Sequence, residues 1–127
     1  MVEIILVVED TPEQSKIAIS ILKERGFKVL LAESYQQART VLSQVPVSAI
    51  LTDLFFPEKK GQEPNACGIS IAIEAKMKSI PVAICSQVNH HSCEWLWHAW
   101  KALQIPVSET KNWNDVTSQL LGDRKKE

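Results

Sequence analysis

Five residues of this chain carry side chains that together suit phosphoryl chemistry: Glu9, Asp10, Asp53, Ser86 and Lys111. Three are carboxylates. Carboxylates brought together repel one another unless a cation lies between them. Mg²⁺, hard and octahedral, suits a site of one or two carboxylates completed by water and phosphate. With that charge balanced, one carboxylate can act as a nucleophile toward a phosphoryl group. The oxygens of a phosphoryl in transfer then need neutralising, a task that a metal, a Lys ammonium and a Ser hydroxyl can share. The product of such a site is an aspartyl phosphate. Taken singly, each of these residues reads as a polar strand end meeting solvent; only the set is informative.

The set matters because of the elements that would carry it. Val2–Val8 is an apolar run broken only by Glu3, as in a strand buried on both faces of a parallel sheet. It ends at Glu9-Asp10. Thr11-Pro12 opens a helix with proline at its first position. Ile17, Ala18, Ile21 and Leu22 follow at helical spacing, and Gly26 closes the element. The pattern repeats: a strand over Phe27–Ala32, then a helix marked by Tyr35, Ala38, Val41 and Leu42. A third strand, Val47–Thr52, ends at Asp53, and Ile69, Ala72, Ile73 and Met77 mark the next helix. Pro81–Ser86 is a fourth strand, and Leu96, Ala99, Trp100 and Leu103 mark a fourth helix. A short fifth strand, Ile105–Ser108, precedes Lys111 and a last helix marked by Trp113, Val116, Thr117 and Leu120.

Five strand–helix units with short connections predict a doubly wound α/β domain, a parallel sheet with helices on both faces. In such sheets ligands bind at the carboxyl ends of the strands. Those ends are where Glu9, Asp10, Asp53 and Ser86 fall, with Lys111 following the fifth strand. One connection, Leu54–Cys67, is long and rich in Pro and charge, as functional loops often are.

Composition narrows the function. The 127 residues hold one domain, read as 1–122, followed by a charged tail, 123–127. Net charge is −1, from 14 basic and 15 acidic residues, which gives no footprint for direct nucleic-acid binding. The longest apolar run is too short to span a bilayer. No signal peptide is visible, and three irregularly spaced cysteines suit reduced thiols in the cytoplasm.

Over residues 2 to 121 the chain resembles the receiver domain of two-component response regulators. The resemblance rests on Glu9-Asp10 in ILVVEDTPEQ, Asp53 in ILTDLFFP with Leu54, Phe56 and Pro57, Ser86 in IPVAICSQ and Lys111 in SETKNW. It implies a flavodoxin-like fold with strand order 2-1-3-4-5. It implies Mg²⁺ held by Glu9, Asp10, Asp53 and the backbone carbonyl of Phe55. It further implies phosphoryl transfer from a phosphohistidine to Asp53, with Ser86 and Lys111 assisting.

Several positions depart from the family pattern. Lys111 is followed by Asn112 rather than proline, so the family's cis turn is not expected; a non-proline cis bond costs about 3 kcal/mol. Ser108 stands where the family often has an aromatic switch, and Gln87 where a small residue is usual. Gly68 reads as the glycine that opens the third helix, which makes Lys59–Cys67 an insertion beside the phosphorylation site. Phe55 and Gln87 are both large and flank the path of a hydrolytic water, which predicts slow loss of phosphate from Asp53.

Trp95, Trp97 and Trp100 cluster on the fourth helix, at the family's partner-binding surface, and an exposed tryptophan there would anchor an interface. Ser108 is expected on the same surface. Helical phase turns Trp97 outward and sets Trp95 and Trp100 at the margins of the apolar face. Ser92 can cap this helix. His90, His91, Cys93 and His98, with Cys85, could in principle hold zinc, but their spacing matches no recognised pattern and the reading is disfavoured.

The sequence therefore points to a stand-alone receiver, not a turnover enzyme, that takes a phosphoryl group on Asp53 and signals by protein contact. The implied partners are a sensor histidine kinase or phosphotransfer protein, a downstream protein effector and, as an open alternative, a second copy of the chain. Neither nucleic acid nor membrane is implied. Two other readings stay open: a degenerate receiver that binds partners without phosphorylation, and a small Mg²⁺-dependent phosphohydrolase.

Overall fold

The computed structural model describes residues 3–87 and 94–122. Its main sheet has five parallel strands: β1 (Ile4–Val8), β2 (Lys28–Ala32), β3 (Ala49–Thr52), β6 (Val82–Cys85) and β7 (Val107–Ser108), in the order β2-β1-β3-β6-β7. Counting only these five, the order is the expected 2-1-3-4-5. The pairing register sets Leu6 opposite Ile50, Ile50 opposite Val82 and Ile84 opposite Val107. Helices α1 (Pro12–Glu24), α2 (Tyr35–Gln44), α3 (Cys67–Met77), α4 (Glu94–Ala102) and α5 (Trp113–Leu121) pack on both faces.

Side chains alternate across the pleat, so each central strand feeds two cores. Leu6, Val8, Ile50 and Ile84 point to one side and meet Ala38 of α2, Ile71, Ala72 and Ala75 of α3, and Leu96 and Trp100 of α4. Ile5, Val7, Leu51 and Ala83 point to the other and meet Ala18 and Leu22 of α1 and Trp113, Val116 and Leu121 of α5. Both faces being covered explains why the strands read as continuous apolar runs rather than alternating ones.

The strands are shorter than their apolar runs. Pro106 cannot donate to a ladder, and β7 shrinks to two residues although the Pro106 carbonyl still accepts the Ile84 N–H at 2.9 Å. The long connection after β3 is not structureless. Phe56–Pro57 (β4) and Pro64–Asn65 (β5) pair antiparallel as a hairpin, with Gly61 at φ 92° in its tip. Two-residue strands containing proline leave no alternating pattern to read.

The inward seam of α4 differs from its expected face. Leu96 and Trp100, one turn apart, are buried, whereas Leu103 is 37% exposed. Trp100 fills the space between α4 and the sheet and offers nothing to a partner. Trp95, expected at the margin, is the outward residue at 67% exposure, and Trp97 is half-buried. The Ser92 cap lies outside the described residues, as do His90, His91, Cys93 and the tail 123–127.

Candidate functional site

The site is assembled at the carboxyl edge of the sheet by β1, β3 and the turn after β7. β1 delivers Glu9, which is wholly buried, and Asp10, which is half-buried. β3 delivers Asp53, 8% exposed, and the Asp53 N–H continues the ladder to the Val8 carbonyl at 2.9 Å. Carboxylate oxygens of Glu9, Asp10 and Asp53 all lie within 4.8 Å of one another. Among the described residues this is the one group of three or more His, Cys, Asp or Glu side chains so arranged.

The Lys111 ammonium reaches into this cluster from the β7–α5 turn. Its Nζ lies 3.2 Å from Asp53 Oδ2 and donates a hydrogen bond to Glu9 Oε1. Glu9 Oε2 accepts the Thr11 N–H at 3.1 Å, and Asp53 Oδ1 accepts the Leu54 N–H at 2.7 Å. The electrostatics follow from burial. Desolvation pushes both the Asp53 and Glu9 carboxyls above their ordinary range, with the Asp53 charge adding to the effect on Glu9, and Lys111 offsets part of each. Burial alone would pull the Lys111 ammonium down, but the bond to Glu9 and the charge of Asp53 outweigh it and hold the group above its ordinary value. One ammonium faces three carboxylates, so the cluster retains negative charge. An all-oxygen donor set of that charge suits a hard divalent cation.

The aromatic floor of the site comes from α5. The Trp113 ring centroid is 5.3 Å from Lys111 Nζ, within cation–π range, and its Nε1 donates to Gln14 Oε1 on α1 at 2.9 Å. Lys111 itself takes φ 57°, in the left-handed region, and no peptide bond among the described residues is cis. Asn112 has a different use from a proline: its side chain accepts the Asp115 N–H at 2.9 Å and caps α5.

Behind Asp53, Gly68 lets the first turn of α3 approach the site backbone. Its N–H donates to the Leu54 carbonyl at 2.9 Å, and a Cβ there would stand 2.3 Å from the Asp53 carbonyl oxygen. Only glycine fits.

Ser86, buried directly after β6, is joined to the same framework: its N–H donates to the Ser108 carbonyl at 2.9 Å and its carbonyl accepts the Lys111 N–H at 3.2 Å. Phe55 is 41% exposed and Gln87 is exposed, at the ends of β3 and β6 respectively. Ser108, expected on the partner surface, is instead 5% exposed, because it is the last residue of β7 and packs under its own turn. Its hydroxyl is a structural acceptor, and neither that role nor the Trp113 contact is signalled by residue type or spacing. The zinc reading gains nothing: the Cys85 thiol is buried and pushed up to about 12 by desolvation, and His98 is exposed.

No protein-family model matches the chain. Among curated proteins it is 33% identical over 117 residues to an NtrX-like response regulator of Rickettsia bellii, a match that covers 92% of this chain and 23% of that protein. It is 33% identical over 86 residues to the two-component response regulator ORR11 of Oryza sativa subsp. indica, covering 67% of this chain and 56% of that one. The chain thus spans about a quarter of the length of its NtrX-like relative. Among solved structures it superposes on a CheY-like receiver domain protein of Methanospirillum hungatei with TM-score 0.72 at 14% identity, over 95% of this chain and 92% of that one. It superposes on TrrA of Thermotoga maritima, solved with Mg²⁺ and beryllofluoride, with TM-score 0.68 at 20% identity, over 94% and 96% of the two chains.

The doubly wound sheet, the acidic edge and these relatives together define the class: the chain is a response regulator receiver domain, of flavodoxin-like fold. Receiver domains are signalling modules. No helix among the described residues is long and apolar enough to cross a membrane.

Proposed function

We propose that this receiver accepts a phosphoryl group on Asp53 from a phosphohistidine and signals the change by protein–protein contact. The observation that carries the reading is the meeting of the Glu9, Asp10 and Asp53 carboxylates within 4.8 Å, with Lys111 Nζ 3.2 Å from Asp53. The donor is a sensor histidine kinase or a phosphotransfer protein.

An Asp53 carboxylate oxygen forms the new bond to phosphorus as the nitrogen–phosphorus bond of the donor imidazole breaks, and the imidazole leaves with the electron pair and takes up a proton. Glu9, Asp10, Asp53 and the Phe55 carbonyl are the residues that would hold Mg²⁺, which supplies charge neutralisation for the phosphoryl oxygens when bound. The Leu54 N–H fixes one Asp53 oxygen and so orients the other. The Lys111 ammonium, 3.2 Å from Asp53 Oδ2, would balance a phosphoryl oxygen, and the hydroxyl of Ser86, at the end of the neighbouring strand, would donate to another. Burial of Asp53 and Glu9 excludes bulk water and strengthens each of these interactions.

Two side chains bear on how long the phosphoryl stays. Phe55, two residues beyond Asp53 after β3, and Gln87, just beyond the neighbouring β6, are both large, and we propose that they shield Asp53 from a hydrolytic water. Phe55→Asn and Gln87→Ala are each expected to speed phosphate loss several-fold, measured as decay of the aspartyl phosphate after removal of donor. Unchanged decay in both variants removes shielding from the mechanism.

Trp95, the exposed tryptophan of α4, with half-buried Trp97 beside it, is the proposed partner contact for a downstream effector. The test of the reading as a whole is titration with beryllofluoride in the presence of Mg²⁺. Saturable binding that is lost in Asp53→Asn and on chelation of Mg²⁺ supports it; a wild type indistinguishable from Asp53→Asn identifies a receiver that binds partners without phosphorylation.

A further inference from the structure

Lys111 sits on a four-carbon stem with many rotamers, yet its Nζ reaches Asp53 and Glu9 together while lying over the Trp113 ring. Something must fix where that stem begins. The turn that carries it is unusual: Lys111 has φ 57°, a region that non-glycine residues seldom adopt. The Ser108 hydroxyl accepts the Asn112 N–H at 3.0 Å and the Thr110 N–H at 3.3 Å, so one buried oxygen gathers the amides on either side of Lys111. Ser108 is in turn anchored to β6, where its carbonyl accepts the Ser86 N–H at 2.9 Å. The chain of contacts runs from the end of β6 through Ser108 to the Lys111 backbone and then to the Asp53 carboxylate.

We infer that Ser108 is a positioning residue for Lys111: its hydroxyl folds the β7–α5 turn so that the ammonium is held against Asp53 and Glu9. The inference deepens the phosphoacceptor reading and rests on it for its effect on transfer, but the placement of Lys111 is measurable without any transfer. An alanine at 108 leaves the Thr110 and Asn112 amides without their acceptor, and the turn is then free to relax toward ordinary φ. A threonine keeps the hydroxyl. A cysteine is close in size to serine but a poorer acceptor.

The experiment reads the Lys111 ammonium directly, by proton–nitrogen correlation of ¹⁵N-labelled protein, with the resonance assigned through its loss in Lys111→Met. A slowly exchanging Lys111 ammonium is expected in wild type and Ser108→Thr, and its broadening in Ser108→Ala and Ser108→Cys. In parallel, uptake of phosphoryl from acetyl phosphate should fall roughly ten- to a hundredfold in Ser108→Ala, as for a misplaced catalytic group. It should return in Ser108→Thr, and Ser108→Ala should add nothing in a chain already carrying Lys111→Met. An ammonium that exchanges freely in wild type, a resonance unchanged in Ser108→Ala and Ser108→Cys, or a Ser108→Ala loss that adds to that of Lys111→Met overturns the inference. A wild type that takes no phosphoryl while the resonance responds as described supports the role of Ser108 and rejects the phosphoacceptor reading instead.

Discussion

On one side of the sheet α1 and α5 are tied to each other at both ends; on the other, α4 rests on Leu96 and Trp100 and turns Trp95 outward. The α1–α5 ties are polar and directional. At the site end Trp113 Nε1 bonds Gln14 at 2.9 Å. At the far end the Arg25 guanidinium donates to Asn114 Oδ1 at 2.7 Å, to Ser118 Oγ at 3.0 Å and to the Gly122 carbonyl at 3.1 Å. The α4 anchors are apolar: Trp100 is 2% exposed and Leu96 6%. Directional bonds hold one geometry, whereas apolar contacts are tolerant of small shifts. The difference suits the proposed division of labour, in which the α1–α5 side would keep Lys111 in place and exposed Trp95 of α4 would meet a partner.

That contrast can be broken at its strongest point first. Trp100→Ala removes the main anchor of α4 and should cost about 3–5 kcal/mol in unfolding free energy, read from urea melts. A loss near zero would mean that α4 is held by something else. Arg25→Ala should cost about 1 kcal/mol, the scale of a few partly exposed hydrogen bonds, and should leave beryllofluoride binding close to wild type because the Trp113–Gln14 tie remains. A large loss of binding would show that the far end of the α1–α5 pair governs the site as well. Trp95→Ala should change stability by less than about 0.5 kcal/mol, as at an exposed position. A larger change would place Trp95 in the fold rather than on a contact face.

How much of this the sequence carried depends on which physical signal was at work. The five strands were legible because burial on both faces leaves apolar runs, and Glu9, Asp10, Asp53 and Lys111 because strand ends in a parallel sheet converge on one edge. The glycine at 68 was legible by type and by the helix that follows it, although its reason, a 2.3 Å approach of an added Cβ to the Asp53 carbonyl, is a tertiary contact that leaves no mark on spacing. The β4–β5 hairpin was not legible, since two-residue strands have no period. Nor was the phase of α4: with three tryptophans in one short helix, apolar residues lie on every side, and only packing distinguishes buried Trp100 from exposed Trp95. The same holds on α3, where Ile73 and Met77 fit the helical period yet are 45% and 81% exposed. Ser108 escaped because a hydroxyl that binds its own turn leaves no mark on spacing.

The reading of the site stands or falls on whether Asp53 forms an acyl phosphate. Incubation of the protein with Mg²⁺ and acetyl phosphate, followed by intact-mass spectrometry, measures that directly. The site predicts a mass increase of one phosphoryl group that is labile to hydroxylamine, dependent on Mg²⁺ and absent in Asp53→Asn. No adduct on the wild type, or an adduct that persists in Asp53→Asn, would contradict it.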